Sequence, residues 1–150
     1  MLLLLLLPGC RGKREATTGR EFLERISTAL REPDPSGFWK LMSEDTRRFM
    51  IEIVQQRVEV AKIKEQERTA LTEDAGGELA SQDPEKLAAR VFHSKMARSR
   101  YEFVDEREEG GQVVVRYRGV AKGVQEWILV REEGGLRLNL RASMKREYRP

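Results

Sequence analysis

One cysteine and one histidine stand in the 150-residue chain, and no apolar run approaches membrane-spanning length. The single cysteine excludes an internal disulfide framework. His93, with no second histidine or cysteine to join it, cannot supply a zinc site and reads as a surface or capping residue. No Gly-x-Ser-x-Gly elbow occurs. Gly119 to Gly123 carries Lys122 but lacks the strand–loop–helix setting of a phosphate loop, so it reads as a hairpin turn. Neither sign of charge dominates: 28 Lys and Arg oppose 25 Asp and Glu, for a net +3. The basic surplus lies in the C-terminal part, where residues 95–150 hold 13 basic against 9 acidic side chains. Interleaved acids such as Glu106, Glu108, Glu109, Glu132 and Glu133 would repel phosphates there, so nucleic acid is not expected as a partner. No catalytic residue, metal site or cofactor is assigned.

What is present suits one domain with one core. The apolar share is 39%, and charged residues make up 35%. That charge exceeds the roughly 25% of an average soluble domain and points to a heavily solvated surface.

The strongest local signal is at the start. Leu2 to Leu7 are six leucines in a row, followed by Pro8, Gly9 and Cys10 and then a polar stretch to Thr18. Six helical residues span about 9 Å, against about 30 Å for a bilayer core, so they cannot cross it. They have the form of a signal-peptide apolar region. The next residues resemble a bacterial lipobox, with Leu7 at −3, Gly9 at −1 and Cys10 at +1. Pro8 departs from the usual small residue at −2. A small Gly9 lets the signal peptidase reach the backbone before Cys10, and the thiol accepts a diacylglyceryl group. Acylation also removes the reactive thiol that an exported protein would otherwise expose. Signal peptides carry Lys or Arg ahead of the leucines, so basic residues are expected upstream of Met1. The resemblance implies a signal peptide over 1–9, a lipidated tether over 10–18 and a membrane partner reached through lipid on Cys10. It places the protein in the cell envelope, facing the periplasm or the cell surface. Arg11 stands where Asp retains some lipoproteins in the inner membrane, which favours the outer one.

The body of the chain begins with a capping box, Thr18-Gly-Arg-Glu21, ahead of Phe22, Leu23, Ile26, Ala29 and Leu30 at helical spacing. Pro33 and Pro35 end this helix, and Asp34-Pro35 opens a short second one through Phe38, Trp39, Leu41 and Met42. Ser43 and its following acids start a third, with a stripe through Phe49, Met50, Ile53, Val54, Val58 and Ala61. Past Lys62 the stripe gives way to charge, so residues 62–74 are expected as an exposed helical extension and 72–82 as a loop. Asp83-Pro84 opens a further helix through Leu87, Ala88, Val91, Phe92 and Met96. From Ser99 the period changes to two, through Tyr101 and Phe103, then Val113, Val115 and Tyr117, then Val124–Val130, then Leu136, Leu138 and Leu140. Glycine-bearing turns separate these runs and predict hairpins. The expected fold class is α+β: N-terminal helices packed on a curved antiparallel four-stranded meander over 19–143, with a basic tail at 144–150.

The step from the first helix to Phe38-Trp39-x-Leu41-Met42-Ser43, and the closing run from Trp127 to Leu140, resemble the NTF2-like (cystatin-like cone) superfamily. More narrowly they resemble bacterial lipoproteins with a DUF4878-like domain, although Leu136 stands where that family usually has Trp. The superfamily includes steroid isomerases and dehydratases, which hold Asp, His or Tyr in a pocket between helices and sheet. The resemblance therefore makes Trp39, Tyr101, Phe103, Tyr117, Glu126 and Trp127 candidate pocket residues. Glu126 is the more interesting carboxylate because it shares a strand face with Val124 and Ile128; Asp105 lies near a turn. Three functions follow: a non-catalytic envelope module that binds a protein or a small apolar ligand, an isomerase or hydratase, and a structural homodimer.

Overall fold

The computed structural model describes residues 14–77, 83–120 and 123–147, so Gly9 and Cys10 lie outside the described residues. Among the described residues, six helices pack with a four-stranded antiparallel sheet of order β1-β2-β3-β4. The fold is α+β, and the sheet is an open meander.

Helix α1 (Gly19–Ala29) starts with the expected capping box: Thr18 Oγ1 accepts from the Glu21 amide while the Glu21 carboxylate accepts from the Thr18 amide. Its N-terminus abuts β1 (Glu102–Glu109), where the Glu106 carboxylate accepts from the Gly19 amide, a favourable place for negative charge. A Cβ at Gly19 would meet Val115 at 3.0 Å, so any larger residue here would press helix and sheet apart by a few tenths of an ångström. Phe22, Leu23 and Ile26 then enter the core almost fully buried.

The short α2 (Ser36–Lys40) leads into Leu41–Ser43, which runs beside β4 (Gly135–Asn139). There the Leu138 amide donates to Leu41 O at 2.8 Å and the Ser43 amide donates to Leu138 O at 3.0 Å. Ala16 also borders β4, accepting from the Leu136 amide at 2.9 Å. These backbone partners cover β4, whereas the outer edge, β1, carries a run of charged residues and a register break between Phe103 and Asp105. Strands β2 (Gln112–Arg118) and β3 (Val124–Glu132) complete the sheet. Val113, Val115, Tyr117, Trp127, Leu129, Leu136 and Leu138 face the helices and form the floor of the core.

Helix α3 (Glu44–Ala61) is capped by Ser43, whose hydroxyl accepts from the Thr46 amide. Two departures from the expected pattern follow. The charged stretch beyond Lys62 is solvated as expected, with Lys62 to Gln66 and Arg68 exposed, but it is not an extension of α3: the chain turns at 62–64, and α4 (Glu65–Ala75) folds back with Leu71 and Ala75 buried. Residues 72–75, expected in a loop, belong to this helix, which closes on Gly76 at φ 70°. Arg57 pairs with Glu67 and with the nearly buried Asp74, and Arg98 reaches Asp74 from beyond α5 (Pro84–Met96). Arg57, Glu67 and Asp74 thus tie α3 to α4, with Arg98 added from the segment after α5, while the other charges of the stretch face solvent.

The second departure is at the C-terminus. Leu140 ends the alternation but is not in the strand; it begins α6 (Leu140–Glu147), which takes in the first part of the basic stretch. Asn139 accepts from the Ala142 amide as a cap, and Thr46 Oγ1 accepts from the Leu140 amide at 2.9 Å. Ser143 places its hydroxyl between β3 and β4, accepting from Ile128 N at 2.9 Å and donating to Asn139 O at 2.7 Å. Arg146 then reaches Glu109 and Glu126 on the sheet face that α1 does not cover.

Thr46 is fully buried and serves both ends of this junction, its hydroxyl also donating to Leu138 O at 2.8 Å. Thr46→Val keeps the shape and strands the Leu140 amide. It is expected to cost about 1–3 kcal/mol, read as a lower urea midpoint at unchanged m value.

Candidate ligand pocket

Period-two geometry turns Tyr117 and Trp127 to the same side of neighbouring strands. Tyr117 pairs with Gln125 and Trp127 with Val115, so the two rings meet diagonally, their centroids 4.6 Å apart. Tyr101, just ahead of β1, lays its ring 4.7 Å from Trp127 and 5.4 Å from Tyr117. Phe22 closes the cluster from below, edge-on to Trp127 at 6.5 Å. This aromatic wall fronts a cavity of about 350 Å³ at the end of the sheet where α5 finishes. Phe92 and Met96 of α5 face the wall, Leu140 and Gln125 flank it, and Val120 stands at the mouth, largely exposed.

The volume falls at the lower end of the range for small-molecule sites. Tyr101 spends its hydroxyl on Met96 O, to which it donates at 3.1 Å, and so locks the wall to the end of α5. Burial pushes its phenol above the ordinary tyrosine range, and a hydrogen bond with Ser99 opposes that rise. Lys95 brings the cationic group of the lining, and no carboxylate lines it among the described residues. The arrangement can hold an apolar or aromatic body by stacking and offers one point of attraction for a negative group.

Of the six candidate pocket residues, the structure gathers Tyr101, Tyr117 and Trp127 and places the other three elsewhere. Trp39 is buried between α2 and α5, with Nε1 donating to Glu85 at 2.6 Å. Phe103 shares the inner face but lies under the Arg20 guanidinium, 4.2 Å from its ring centre. Glu126 does share a face with Ile128, but it is the opposite face, because Glu126 adjoins the inward Trp127. There Arg107 holds it at 3.1 Å and Arg146 at 2.8 Å. Asp105, also on that face, pairs with Arg116 at 3.0 Å. A paired carboxylate on the far side of the sheet cannot act as a base toward the cavity.

Lys95, Ser99 and Gln125 were not indicated by the sequence. Lys95 lies three residues past Phe92, within one helical turn of the apolar stripe, which is the signal that could have found it. His93 does not enter the pocket: its Nε2 lies 3.2 Å from Ala29 O, and its ring meets Phe38 edge-on at 5.7 Å. Among the described residues no three His, Cys, Asp or Glu side chains converge as a metal site would require.

Compared with protein-family models, with curated proteins and with solved structures, the chain matches none.

The buried phenol carries a pH signature. A folded-state value above the unfolded one makes the tyrosinate form unfavourable in the native state. Its contribution to stability is therefore present below the unfolded pKa of about 10 and lost as pH rises through the higher folded value. Alkaline titration followed by tyrosinate absorbance is expected to contain a late-ionising component that is lost in Tyr101→Phe. That variant is also expected to lose less stability than the parent across the same alkaline interval.

Proposed function

We propose that the protein is a lipid-anchored lipoprotein of the cell envelope whose folded domain is a non-catalytic module binding a small, largely apolar ligand. The observation that carries the binding part is the cavity walled by Tyr101, Tyr117 and Trp127, with Phe92 and Met96 opposite. The anchoring part rests on Leu7, Gly9 and Cys10 in lipobox spacing after a leucine run. No helix among the described residues is long and apolar enough to cross a membrane. The α+β order of helices followed by an open meander agrees in class with the NTF2-like resemblance.

The isomerase or hydratase alternative needs a carboxylate, histidine or free phenol facing the cavity. Here Glu126 is ion-paired on the other face, His93 is turned to Ala29, and the Tyr101 hydroxyl is committed to Met96 O. A homodimer through the open sheet face would bury Arg107, Glu109, Glu126 and Arg146, at a desolvation cost that an apolar patch would not incur.

Two measurements test the two parts. Intact mass of detergent-extracted protein is expected to show acyl chains on Cys10 and none on Cys10→Ala; an unmodified thiol on the extracted parent removes the anchor. In a Trp39→Phe background, Trp127 emission is expected to change saturably as anilinonaphthalene sulfonate is added. Met96→Glu is expected to weaken that binding about tenfold, or about 1.4 kcal/mol. Emission that ignores the probe would end the binding reading.

A further inference from the structure

A second and larger hollow, about 770 Å³, lies between the Arg14–Thr18 segment, α1 and α2. It is not apolar. Arg14, Arg25, Lys40 and Arg137 line it against Glu15, Glu21, Glu24 and Glu32, so cations and carboxylates balance.

Arg137 gives the site its most specific feature. It is only 5% exposed, its Nη1 donates to Glu15 at 3.0 Å and to Leu136 O at 3.1 Å, and its Nε–H finds no acceptor. A buried donor without a partner costs stability; this Nε–H is sealed within the protein, so an anion entering the hollow would meet the charge of the guanidinium and not this proton.

Position supplies the occupant. Cys10 precedes Arg14 by four residues, which span at most about 14 Å even when fully extended. No slack exists beyond Arg14. Ala16 is 1% exposed and accepts from the Leu136 amide, Glu15 is bound to Arg137, and Thr17 donates to Glu21 at 2.8 Å. An acylated Cys10 has its glycerol at the headgroup layer, itself about 5–8 Å deep on each side of the hydrocarbon. Arg14, on the rim of the hollow, is therefore kept within about 14 Å of that layer.

We propose that this hollow is the face the protein lays on its membrane, where it takes zwitterionic phospholipid headgroups, phosphate toward Arg14, Lys40 and Arg137, ammonium toward Glu24 and Glu32. The proposal rests on acylation of Cys10. With Glu15 and Glu21 already engaged inside the protein, a purely anionic surface would still meet Glu24 and Glu32 beside the cations, whereas a phosphate–ammonium pair satisfies both signs.

Acylation consumes the only native thiol, so single-cysteine variants report cleanly on accessibility. Thr28→Cys marks the hollow and Arg118→Cys, itself exposed, the sheet face opposite α1. Each is made in the lipidated full chain, confirmed by mass, and reconstituted in phosphatidylethanolamine–phosphatidylcholine vesicles. The Cys10→Ala form of each, mixed with the same vesicles, is the reference. A membrane-impermeant maleimide is expected to label Thr28→Cys about tenfold more slowly in the lipidated protein than in its reference, and Arg118→Cys at equal rates. The protection at Thr28→Cys is expected to shrink severalfold in phosphatidylglycerol vesicles and on adding the surface substitution Lys40→Glu. Equal labelling of Thr28→Cys with and without the lipid, or equal slowing at position 118, overturns the proposal while leaving the anchor intact. Protection undiminished in phosphatidylglycerol overturns the zwitterionic assignment. A mass showing unmodified Cys10 overturns the anchor itself, and the proposal with it.

Discussion

The helical half and the sheet meet through the two hydrogen bonds that Leu138 makes with Leu41 and Ser43. This short parallel pairing fixes where α3 begins, because Ser43 is both its last residue and the cap of the helix. It fixes where α6 begins as well, since Thr46, one turn into α3, holds Leu138 O and the Leu140 amide together. The aromatic cavity depends on the same junction: Leu140 flanks it, and α5, which supplies its opposite wall, packs on α3. Without that pairing β4 would keep only Ala16 along its outer edge, and α3 would lose its register on the sheet.

Charge is used in two ways around this frame. Exposed pairs such as Glu44–Arg48 and Glu59–Lys62 contribute about 0–1 kcal/mol each, and they keep the surface solvated more than they hold the fold. The Arg57, Glu67, Asp74 and Arg98 cluster is more enclosed and ties α3, α4 and the end of α5. On the sheet, Arg146 grips Glu109 with both terminal nitrogens, at 3.0 and 3.1 Å, and holds that carboxyl below its usual range. The same arginine takes Glu126, so α6 and the sheet face are joined through one guanidinium.

Much of this was legible in the chain. The capping box at Thr18, the Asp83-Pro84 start of α5, the glycine turns and the four strands act over a few residues, where local chemistry decides. The α3–α4 corner was not legible, because Lys62-Ile63-Lys64 turns without glycine or proline, and Leu71 and Ala75 are buried by contacts far away in sequence. Asn139 reads equally as the end of a strand and as a helix cap; only the Thr46 hydroxyl settles which. At the pocket the aromatic wall followed from alternation. The same rule, carried one residue further, would have set Glu126 on the far face from Trp127. Arg137 gave no local sign at all, since its isolation comes from Ala16 and Glu15 lying across it.

That crossing segment also decides how the fold meets force. Tension applied upstream of Arg14 enters the body within a few residues, through the Ala16–Leu136 hydrogen bond, the Glu15–Arg137 pair and the Thr17–Glu21 contacts at the head of α1. The load is divided between strand and helix before it reaches the core, and a pull must break several bonds together to begin unravelling α1. The domain is mechanically clamped at the point where the chain enters it.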